Sequence, residues 1–342
     1  MSSIQSTENE RQTAMRNWLA GISTPSLHLD TIRRASEDAS FRSYYRVDAA
    51  DGQTYIVMDA PPPMESVQRF ANVADIFGKV GLTVPQVLAA DNESGFLLLT
   101  DLGTTTYFHV LNNDSAHKLY MDAIDSLILL QTQSQPDVLP EYDRALLLKE
   151  LMIFPEWYIG KHLGVTLTAE QTASLDKVFE ALLANNLAQP QVFVHRDYHS
   201  RNLMLLDKGN PGVLDFQDAV YGPITYDLVG LLRDAYVQWD EEMVLDWAIR
   251  YWEKAKRAGL PVSADVDSFY RDFEFMGLQR HLKILGIFAR LYHRDGKDAF
   301  LADMPLVMEY VRKTAQRYNV LIPLLRLLDV LEDKKPQVGY TF

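Results

Sequence analysis

Two kinds of hydrophobic pattern divide the chain near residue 100. Before that point, short runs of aromatic and β-branched residues flank turn residues, as in "FRSYYRVDAADGQTYIVMDAPPP" and "VPQVLAADNESGFLLLTDLG". Such runs predict two β-hairpins. Between them, apolar residues recur at the spacing of one helix face, at Val67, Phe70, Val73, Ala74 and Phe77. We therefore expect residues from about 28 to 100 to form a small sheet with one helix.

Stripes of apolar residues at helical spacing dominate from Thr104 onward. They predict helices over residues 114–135, 141–161, 168–186, 224–236, 240–258, 264–294 and 304–333, in addition to one over residues 9–21. Three strand-like segments interrupt them, at 192–194, 203–206 and 212–214. The prediction is an α+β protein with a β-rich first part, residues 1–102, and a larger, mainly helical second part, residues 103–342.

Charged and amide side chains crowd the loops between those strand-like segments, in "HRDYHSRNLMLLDKGNPGVLDFQD". Asp197 and Asn202 stand in the order H-R-D-x-x-x-x-N, and Asp215 follows a predicted hairpin as D-F-Q. Protein kinases carry a catalytic loop and then a metal loop in this order. The sequence therefore predicts that Asp197 accepts a proton from an acceptor hydroxyl, and that Asn202 and Asp215 bind Mg²⁺ through oxygen atoms.

Taken singly, each of these residues has a structural alternative. An Asp before a turn is commonly a cap, and an Asn in a loop commonly satisfies backbone groups. His195 and His199 would suit a zinc pair, but such ligands belong on a helix, and this stretch lacks a helical period. We expect His195 instead to be buried and to orient the loop through hydrogen bonds.

The composition narrows the functional class. The 342 residues include 46 acidic and 33 basic ones, a net charge of −13, whereas a general nucleic-acid binder usually carries the opposite sign. The absence of cysteine excludes disulfides, thiolate catalysis and zinc–sulfur sites. The start "MSSIQSTENERQT" is polar, and no apolar run reaches about 18 residues. We therefore expect a cytoplasmic monomer that binds neither nucleic acid nor membrane.

These motifs resemble those of the aminoglycoside phosphotransferase family. In that comparison "HRDYHSRN" corresponds to the catalytic loop, "LDFQD" to the metal loop and "GPITYDLVGLLRDAY" to the helix that follows. The resemblance implies a bilobal protein-kinase-like fold, with a small antiparallel-sheet N-terminal lobe and a larger helical C-terminal lobe. It also implies that ATP and Mg²⁺ bind in the cleft between the lobes, and that Asp227 braces the catalytic loop.

Further stretches, "DASFRSYYRV", "YIVMDAPP" and "LQRHLKILGIFARL", resemble one branch of this family. That branch comprises the bacterial anomeric sugar kinases, which act on N-acetylmuramate and N-acetylglucosamine in cell-wall recycling. The resemblance implies transfer of the γ-phosphoryl group of ATP to an anomeric hydroxyl. A kinase for another small compound, such as an aminoglycoside, choline or homoserine, is an alternative. A protein kinase is a weaker one, because no A-P-E sequence follows the metal loop.

Two parts of a typical kinase are missing. "EDASFRSYYRV" stands in place of a glycine-rich loop, and Met58 occupies the strand position of the phosphate-binding lysine. Our hypothesis is that backbone N–H groups near Ser40 approach the phosphates, and that Arg42, helped by Arg46, replaces the lysine. The alternatives are that both arginines are solvated strand residues, and that the protein is a pseudokinase with weak or no nucleotide binding.

Three further groups of residues complete the predicted binding site. The resemblance implies that adenine pairs with the carbonyl of Thr100 and the amide of Leu102. A basic cluster in an acidic protein, Arg280, His281 and Lys283, predicts contact with an anionic acceptor group such as the lactyl carboxylate of a muramic acid. The alternative is a solvated basic helix face. The residues expected to reach sugar hydroxyls lie just past the metal loop: Gln217, Asp218 and Tyr221.

Overall fold

The computed structural model describes residues 2–36, 42–62 and 66–332, and the chain divides into two compact units. The first, here called the sheet unit, consists of Met1–Thr105 and Met204–Gln217. The second, the helical unit, consists of Thr106–Leu203 and Asp218–Phe342. The segment that contains D-F-Q thus folds with the sheet. An antiparallel sheet with a mainly helical remainder confirms the predicted α+β class.

The chain contains nine strands among its described residues; most belong to the sheet unit, and two short ones flank the H-R-D sequence in the helical unit. In chain order they are β1 (Leu27–Ser36), β2 (Ser43–Ala49), β3 (Thr54–Asp59), β4 (Val87–Asp91), β5 (Phe96–Thr100), β6 (Gln191–Val194), β7 (Leu203–Met204), β8 (Gly212–Val213) and β9 (Val220–Pro223). Within the described residues, β1 to β5 form one antiparallel sheet in the order β1-β2-β3-β5-β4, β6 pairs with β9, and β7 pairs with β8. Both predicted hairpins, β2–β3 and β4–β5, are confirmed, whereas β9 was not predicted.

Helices make up most of the helical unit, and the first two helices of the chain belong to the sheet unit. In chain order the α-helices are α1 (Ser2–Ala20), α2 (Val67–Val80), α3 (Tyr107–Val110), α4 (Ala116–Thr132), α5 (Arg144–Leu151), α6 (Ala169–Ala188), α7 (Tyr226–Leu232), α8 (Glu241–Arg257), α9 (Val266–Asp295), α10 (Met304–Arg317) and α11 (Ile322–Leu331). A π-helix spans Phe154–His162, and 3₁₀ turns span Ala299–Asp303 and Asn319–Leu321. None of these helices, within the part of the chain that the structure describes, combines the length and apolar composition of a membrane span.

Two predicted helices are wrong as single elements. The segment 141–161 contains α5 followed by the π-helix, and the segment 304–333 contains α10 and α11. In each case a proline, Pro155 or Pro323, lies in the first turn of the second helix. Proline lacks the N–H that a helix interior needs but is tolerated in a first turn, where that N–H has no helical partner. The prolines therefore mark new starts inside continuous apolar patterns.

Helix α1 packs against the sheet through an apolar cluster. Its Met15 and Leu19 are buried with the strand residues Val47, Val57, Phe96 and Leu98. Arg11 of the same helix donates from Nε and Nη2 to Asp59 Oδ1, at 2.8 and 2.6 Å. Burial of these apolar side chains supplies the main driving force for packing, and the ion pair fixes the position of α1 along β3.

Residues 204–217 join the sheet unit through backbone and ring contacts. The N–H of Val213 donates to the carbonyl of Thr83 at 2.8 Å. Phe216 is fully buried, and its ring lies 4.8 Å from that of Phe70 and 5.8 Å from that of Phe77, between centroids. Both phenylalanines belong to α2. The residue that follows Asp215 therefore anchors this segment to a helix of the sheet unit.

Helix α9 is buried along most of its length and packs against α7, α10 and the π-helix. At Gly286 a Cβ atom would lie 2.6 Å from the backbone carbonyl of Ile153, so only glycine permits this approach. The helix also carries charged side chains into the interior, including Arg280 and Lys283. A buried charge needs a partner; Arg280 meets the H-R-D loop, and Lys283 meets Glu150 of α5 and Tyr226 of α7.

We expect Phe216→Ala to lower the free energy of unfolding by about 3–5 kcal/mol, because it leaves a cavity between Phe70 and Phe77. Phe216→Leu is the matched control and should cost less than about 1.5 kcal/mol, because it keeps most of the volume. Urea denaturation followed by circular dichroism measures both. Equal stability of the two variants would contradict the anchoring role of this ring.

Candidate active site

Strand β6 leads directly into the H-R-D sequence. It pairs with β9 from Gln191 opposite Pro223 to Val194 opposite Val220. The next residue, His195, is fully buried, as the sequence predicts. Its Nδ1 accepts the N–H of Asp197 at 3.2 Å. The imidazole therefore shapes the backbone at the start of the loop.

Asp227, in the first turn of α7, binds the two residues that precede Asp197. Its carboxylate oxygens accept the backbone N–H groups of His195 at 2.6 Å and of Arg196 at 3.0 Å. Arg196 has a φ of +77°, a left-handed conformation that non-glycine residues rarely adopt. Burial raises the pKa of Asp227 to about 7, against the two N–H groups, which favour the carboxylate. The hydrogen bonds hold a strained backbone directly before Asp197.

The carbonyl of Asp197 joins the two ends of the loop. It accepts the N–H of His199 at 3.1 Å and Nδ2 of Asn202 at 2.9 Å. The N–H of Asn202 donates to the carbonyl of His199 at 2.9 Å. The amide nitrogen of Asn202 is therefore turned toward the backbone, and its oxygen is on the opposite side of the carboxamide group.

A second carboxylate, which sequence reasoning missed, holds the middle of the loop. Asp234 Oδ2 accepts the N–H of Ser200 at 3.0 Å and its hydroxyl at 2.5 Å, and all these groups are buried. Asp234 lies just beyond the end of α7, and Asp227 lies at the start of that helix. The only sequence signal is a second Asp in "YDLVGLLRD". The loop is thus bound to both ends of one short helix.

The side chain of Asp197 remains 42% exposed and faces cations from α9. Arg280 Nη2 lies 3.9 Å from its Oδ1, while Arg280 Nη1 donates to the carbonyl of Arg196 at 2.6 Å. Partial removal of water acts to raise the pKa of Asp197, but Lys283 and Arg280 outweigh this and lower the pKa to about 2. The carboxylate is therefore ionised throughout the neutral pH range.

The basic cluster of α9 is buried, so the solvated-face alternative is wrong. Lys283 Nζ lies 3.0 Å from Glu150 Oε1 and donates to the hydroxyl of Tyr226 at 3.1 Å. Glu150, also missed by sequence reasoning, pairs in addition with Arg196. Burial acts to raise the pKa of Glu150, and its neighbouring cations, Lys283 first, lower it. The result is a buried charge network around the H-R-D loop.

His281 belongs to the hydrophobic interior. Its ring stacks on Tyr310, with centroids 4.9 Å apart, and its Nε2 lies 3.1 Å from the carbonyl of Arg233. Burial lowers the pKa of His281 to about 3, so the imidazole is neutral. The contacts of Arg280, His281 and Lys283 are with protein groups, and a contact of these side chains with an acceptor stays a prediction.

In the sheet unit, the predicted metal ligand contacts the predicted phosphate-binding arginine. Arg42 Nη2 lies 3.3 Å from Asp215 Oδ1, and Arg42 is 8% exposed. The alternative of a solvated strand residue is therefore wrong for Arg42. Gln217 Nε2 donates to the same oxygen of Asp215 at 2.8 Å. Asp215 itself has a φ of +61°, a strained conformation of the kind that clusters at functional sites.

The side chain of Arg46 binds protein groups just beyond the end of β5. Its guanidinium binds both carboxylate oxygens of Asp101, with Nη2 at 3.0 Å from Oδ1, and also donates to the carbonyl of Gly103 at 2.8 Å. These contacts fix residues 101–103, which include Leu102. A role of Arg46 in nucleotide binding stays a prediction.

The other predicted nucleotide contacts lie on or beside the central strands. Met58 is buried on β3. Thr100, the last residue of β5, pairs with Gln86, whose N–H donates to the threonine hydroxyl at 2.9 Å. Ser40 lies outside the described residues. The expected backbone contacts of Thr100 and Leu102 with adenine stay predictions.

The residues predicted to reach sugar hydroxyls fall in both units. Gln217 is buried, and its Oε1 has no hydrogen-bond partner among the described residues. The carbonyl of Asp218 accepts Nη1 of Arg196 at 3.4 Å. Tyr221 lies in β9, with its ring 6.4 Å from that of Phe193. Their contacts with an acceptor stay predictions.

The oxygen donors fit a hard cation that is shared with a substrate. Among the described residues, no group of three or more histidines, aspartates and glutamates forms a metal site of its own. Mg²⁺ does not require one, because it is usually held by one or two protein oxygens together with phosphate oxygens and water. A carboxylate at Asp215 and an amide oxygen at Asn202 match this chemistry. The buried His195, which accepts an N–H, does not suit a zinc pair with His199.

Comparisons with known proteins identify the family. The model of the phosphotransferase enzyme family matches residues 31–260. The chain is 49% identical over 338 residues to the N-acetylmuramate/N-acetylglucosamine kinase of Neisseria meningitidis serogroup B, an alignment that covers 97% of this chain and 100% of that protein. It is 48% identical over 294 residues to the protein of the same name from Pseudomonas aeruginosa, with 86% of each covered.

Solved structures with the same fold include several small-molecule kinases. The amicoumacin kinase hAmiN in complex with AMP-PNP, Ca²⁺ and Ami has a TM-score of 0.64 at 13% identity, with 94% of this chain and 97% of that chain covered. The choline kinase LicA from Streptococcus pneumoniae also has a TM-score of 0.64 at 13% identity, with 89% and 99% covered. This similarity confirms the predicted protein-kinase-like fold.

We expect Asp227→Asn to lower the free energy of unfolding at pH 5 by about 1–3 kcal/mol, because the NH₂ of the carboxamide cannot accept a hydrogen bond and leaves one buried N–H unsatisfied. Asp176→Asn, an exposed position on α6, is the matched control and should stay within about 0.5 kcal/mol. Urea denaturation measures both. Equal stability of the two variants would mean that Asp227 does not hold the loop.

The stability of Asp227→Asn should also depend less on pH. The folded pKa of Asp227, about 7, lies above its unfolded value of about 3.9. The folded protein therefore binds this proton more tightly, and the wild type loses stability as the pH rises from about 4 to about 7. The variant lacks this titration. Identical slopes of unfolding free energy against pH in both proteins would contradict the raised pKa.

Proposed function

The chain belongs to the phosphotransferase enzyme family, and we propose that it transfers the γ-phosphoryl group of ATP to the anomeric hydroxyl of N-acetylmuramate and N-acetylglucosamine. Membership makes it a small-molecule kinase. Similarity over 97% of the chain to a kinase with that name supports the acceptor. The observation that carries the chemistry is the loop that Asp227 and Asp234 hold in place, in which Asp197 is partly exposed and is kept ionised by Lys283 and Arg280.

In the proposed reaction, the oxygen of the anomeric hydroxyl forms a bond with the γ-phosphorus. The bond from that phosphorus to the β,γ-bridging oxygen breaks, and ADP leaves with the electron pair. The hydroxyl proton passes to the carboxylate of Asp197. A carboxylate with a pKa of about 2 is a weak base, so its main contribution is to orient the hydroxyl, which is sufficient for a loose transition state. An anomeric hydroxyl is more acidic than other sugar hydroxyls and therefore needs less help.

Asn202 and Asp215 would hold the Mg²⁺ ion, which supplies positive charge to the phosphates of ATP. Arg42 would add a guanidinium on the phosphates. Its 3.3 Å contact with Asp215 is longer than a typical charge-assisted hydrogen bond, so a phosphate oxygen can replace it at small cost. Adenine would pair with backbone groups of Thr100 and Leu102. Because the reaction consumes ATP, a cytoplasmic location is part of the proposal; the expected monomeric state stays a prediction.

The proposed function is tested by incubation of the protein with ATP, Mg²⁺ and a panel of acceptors that includes both amino sugars, choline, homoserine and an aminoglycoside. We expect phosphate on the anomeric oxygen of the two sugars, identified by ³¹P–¹³C coupling to C1. Asp197→Asn should lower kcat by at least about a hundredfold, while ATP binding persists by calorimetry. Phosphorylation of another acceptor alone would reassign the substrate, and no Mg²⁺-dependent nucleotide binding would favour a pseudokinase.

We expect Arg42→Ala to raise the KM for ATP and to lower kcat, together by at least about tenfold in kcat/KM, because a charge-assisted hydrogen bond to phosphate is lost. Arg42→Lys should restore part of this, since it keeps the charge without the planar fork. Arg34→Ala, an exposed arginine of β1, is the control. Unchanged kinetics for ATP in Arg42→Ala would remove Arg42 from the nucleotide site.

A further inference from the structure

An arginine of the catalytic loop lies between two aromatic rings in the helical unit. The guanidinium carbon of Arg201 is 3.6 Å from the centroid of the Tyr236 ring and 4.8 Å from that of the Phe108 ring. The two rings meet edge to face, 6.5 Å apart. Cation–π attraction to the two rings holds the guanidinium, and its planar N–H groups can still donate hydrogen bonds.

Arg201 differs from the other arginines around the loop in having no anionic partner. It is exposed, and within the described ranges no carboxylate oxygen forms an ion pair with it. Arg196, Arg233 and Arg280, by contrast, each lie within ion-pair distance of an acidic side chain. Burial raises the pKa of Asp303, and Arg201 partly offsets this from beyond ion-pair distance. A rigid, unpaired guanidinium matches an incoming carboxylate.

Arg201 lies close in the chain to the residues to which we assign the chemistry. It directly precedes Asn202, in the turn that the carbonyl of Asp197 closes. The imidazole of His199 links the two regions, because its Nε2 lies 3.4 Å from Asn202 Nδ2 and its ring lies 5.6 Å from the ring of Tyr236. The cluster of Arg201 with its two rings therefore adjoins the residues to which we assign the chemistry.

The two proposed acceptors differ at a place that such a cation can reach. N-acetylmuramate carries a lactyl ether on O3, two ring carbons from the anomeric carbon, and this group ends in a carboxylate. N-acetylglucosamine has a neutral hydroxyl there. A cation that binds this carboxylate should lie near Asp197, which faces the anomeric hydroxyl, but should not be paired with Asp197 itself. Arg280 and Lys283 are buried and engaged with protein groups, whereas Arg201 is exposed.

We propose that Arg201, seated between Tyr236 and Phe108, binds the carboxylate of N-acetylmuramate and sets the use of this sugar relative to the neutral one. The inference rests on the proposed function, because it assigns a contact to one of the two proposed acceptors. It also replaces the buried basic cluster of α9 as the source of positive charge for an anionic acceptor.

The test compares wild type, Arg201→Gln and Arg201→Lys with N-acetylmuramate, its neutral methyl ester and N-acetylglucosamine. We expect Arg201→Gln to lower kcat/KM for N-acetylmuramate by at least about tenfold, and for the other two acceptors by no more than about threefold. Arg201→Lys should lie between, because it keeps the charge without the fork. Arg257→Gln, an exposed arginine at the end of α8, should leave all three values unchanged.

Several results would overturn the proposal. An equal loss for all acceptors would mean that Arg201 only supports the loop, and a raised KM for ATP with every acceptor would assign it to the nucleotide. Thermal unfolding reports whether a variant is folded. If Arg201→Gln does not fold, the wild type alone tests the proposal. Equal kcat/KM values for N-acetylmuramate and its methyl ester would show that no cation of the protein binds the carboxylate, and would overturn the proposal. Phosphorylation of neither sugar by the wild type would instead reject the proposed function itself.

Discussion

The geometry of the H-R-D loop depends on one buried carboxylate. Asp227 accepts the N–H groups of His195 and Arg196, and so holds a left-handed residue directly before Asp197. A buried carboxylate is unfavourable without such donors, and buried N–H groups are unfavourable without an acceptor. Each side therefore stabilises the other only in this arrangement. With Asp234 at the far end of α7, one short helix determines where the loop begins and where it bends.

The charges around the loop are arranged to keep Asp197 ionised. Glu150 lies among Arg196 and Lys283, and Arg280 approaches both the loop backbone and Asp197. Buried ion pairs add little net stability, although the loss of one partner is costly. The benefit of this network is a fixed positive potential beside the carboxylate. Such a potential suits a reaction in which a side chain orients a hydroxyl and its basicity contributes little.

Much of the fold and part of the candidate site can be predicted from the sequence, and the features that cannot be predicted have physical causes. Hairpins and helices follow from apolar periodicity, and the loop residues follow from their order along the chain. The burial of the α9 cations cannot be predicted from the sequence. The segment "LQRHLKIL" has the composition of a charged surface, and only the structure shows that Glu150 and Tyr226 lie beside it. Asp234 and Glu150 carry no motif, because a partner for a backbone N–H or a cation needs only a carboxylate at the right place in space.

The family model ends at residue 260, before α9 begins at Val266. Lys283 and Arg280, the two cations that lower the pKa of Asp197 most, therefore come from a helix outside the region that the family model matches. In this chain the acidity of the H-R-D aspartate thus depends on residues that lie outside the matched region. A chimaera that joined this chain's loop to another relative's segment equivalent to α9 and the residues after it would therefore take on that relative's acidity at the aspartate, whatever its own H-R-D sequence.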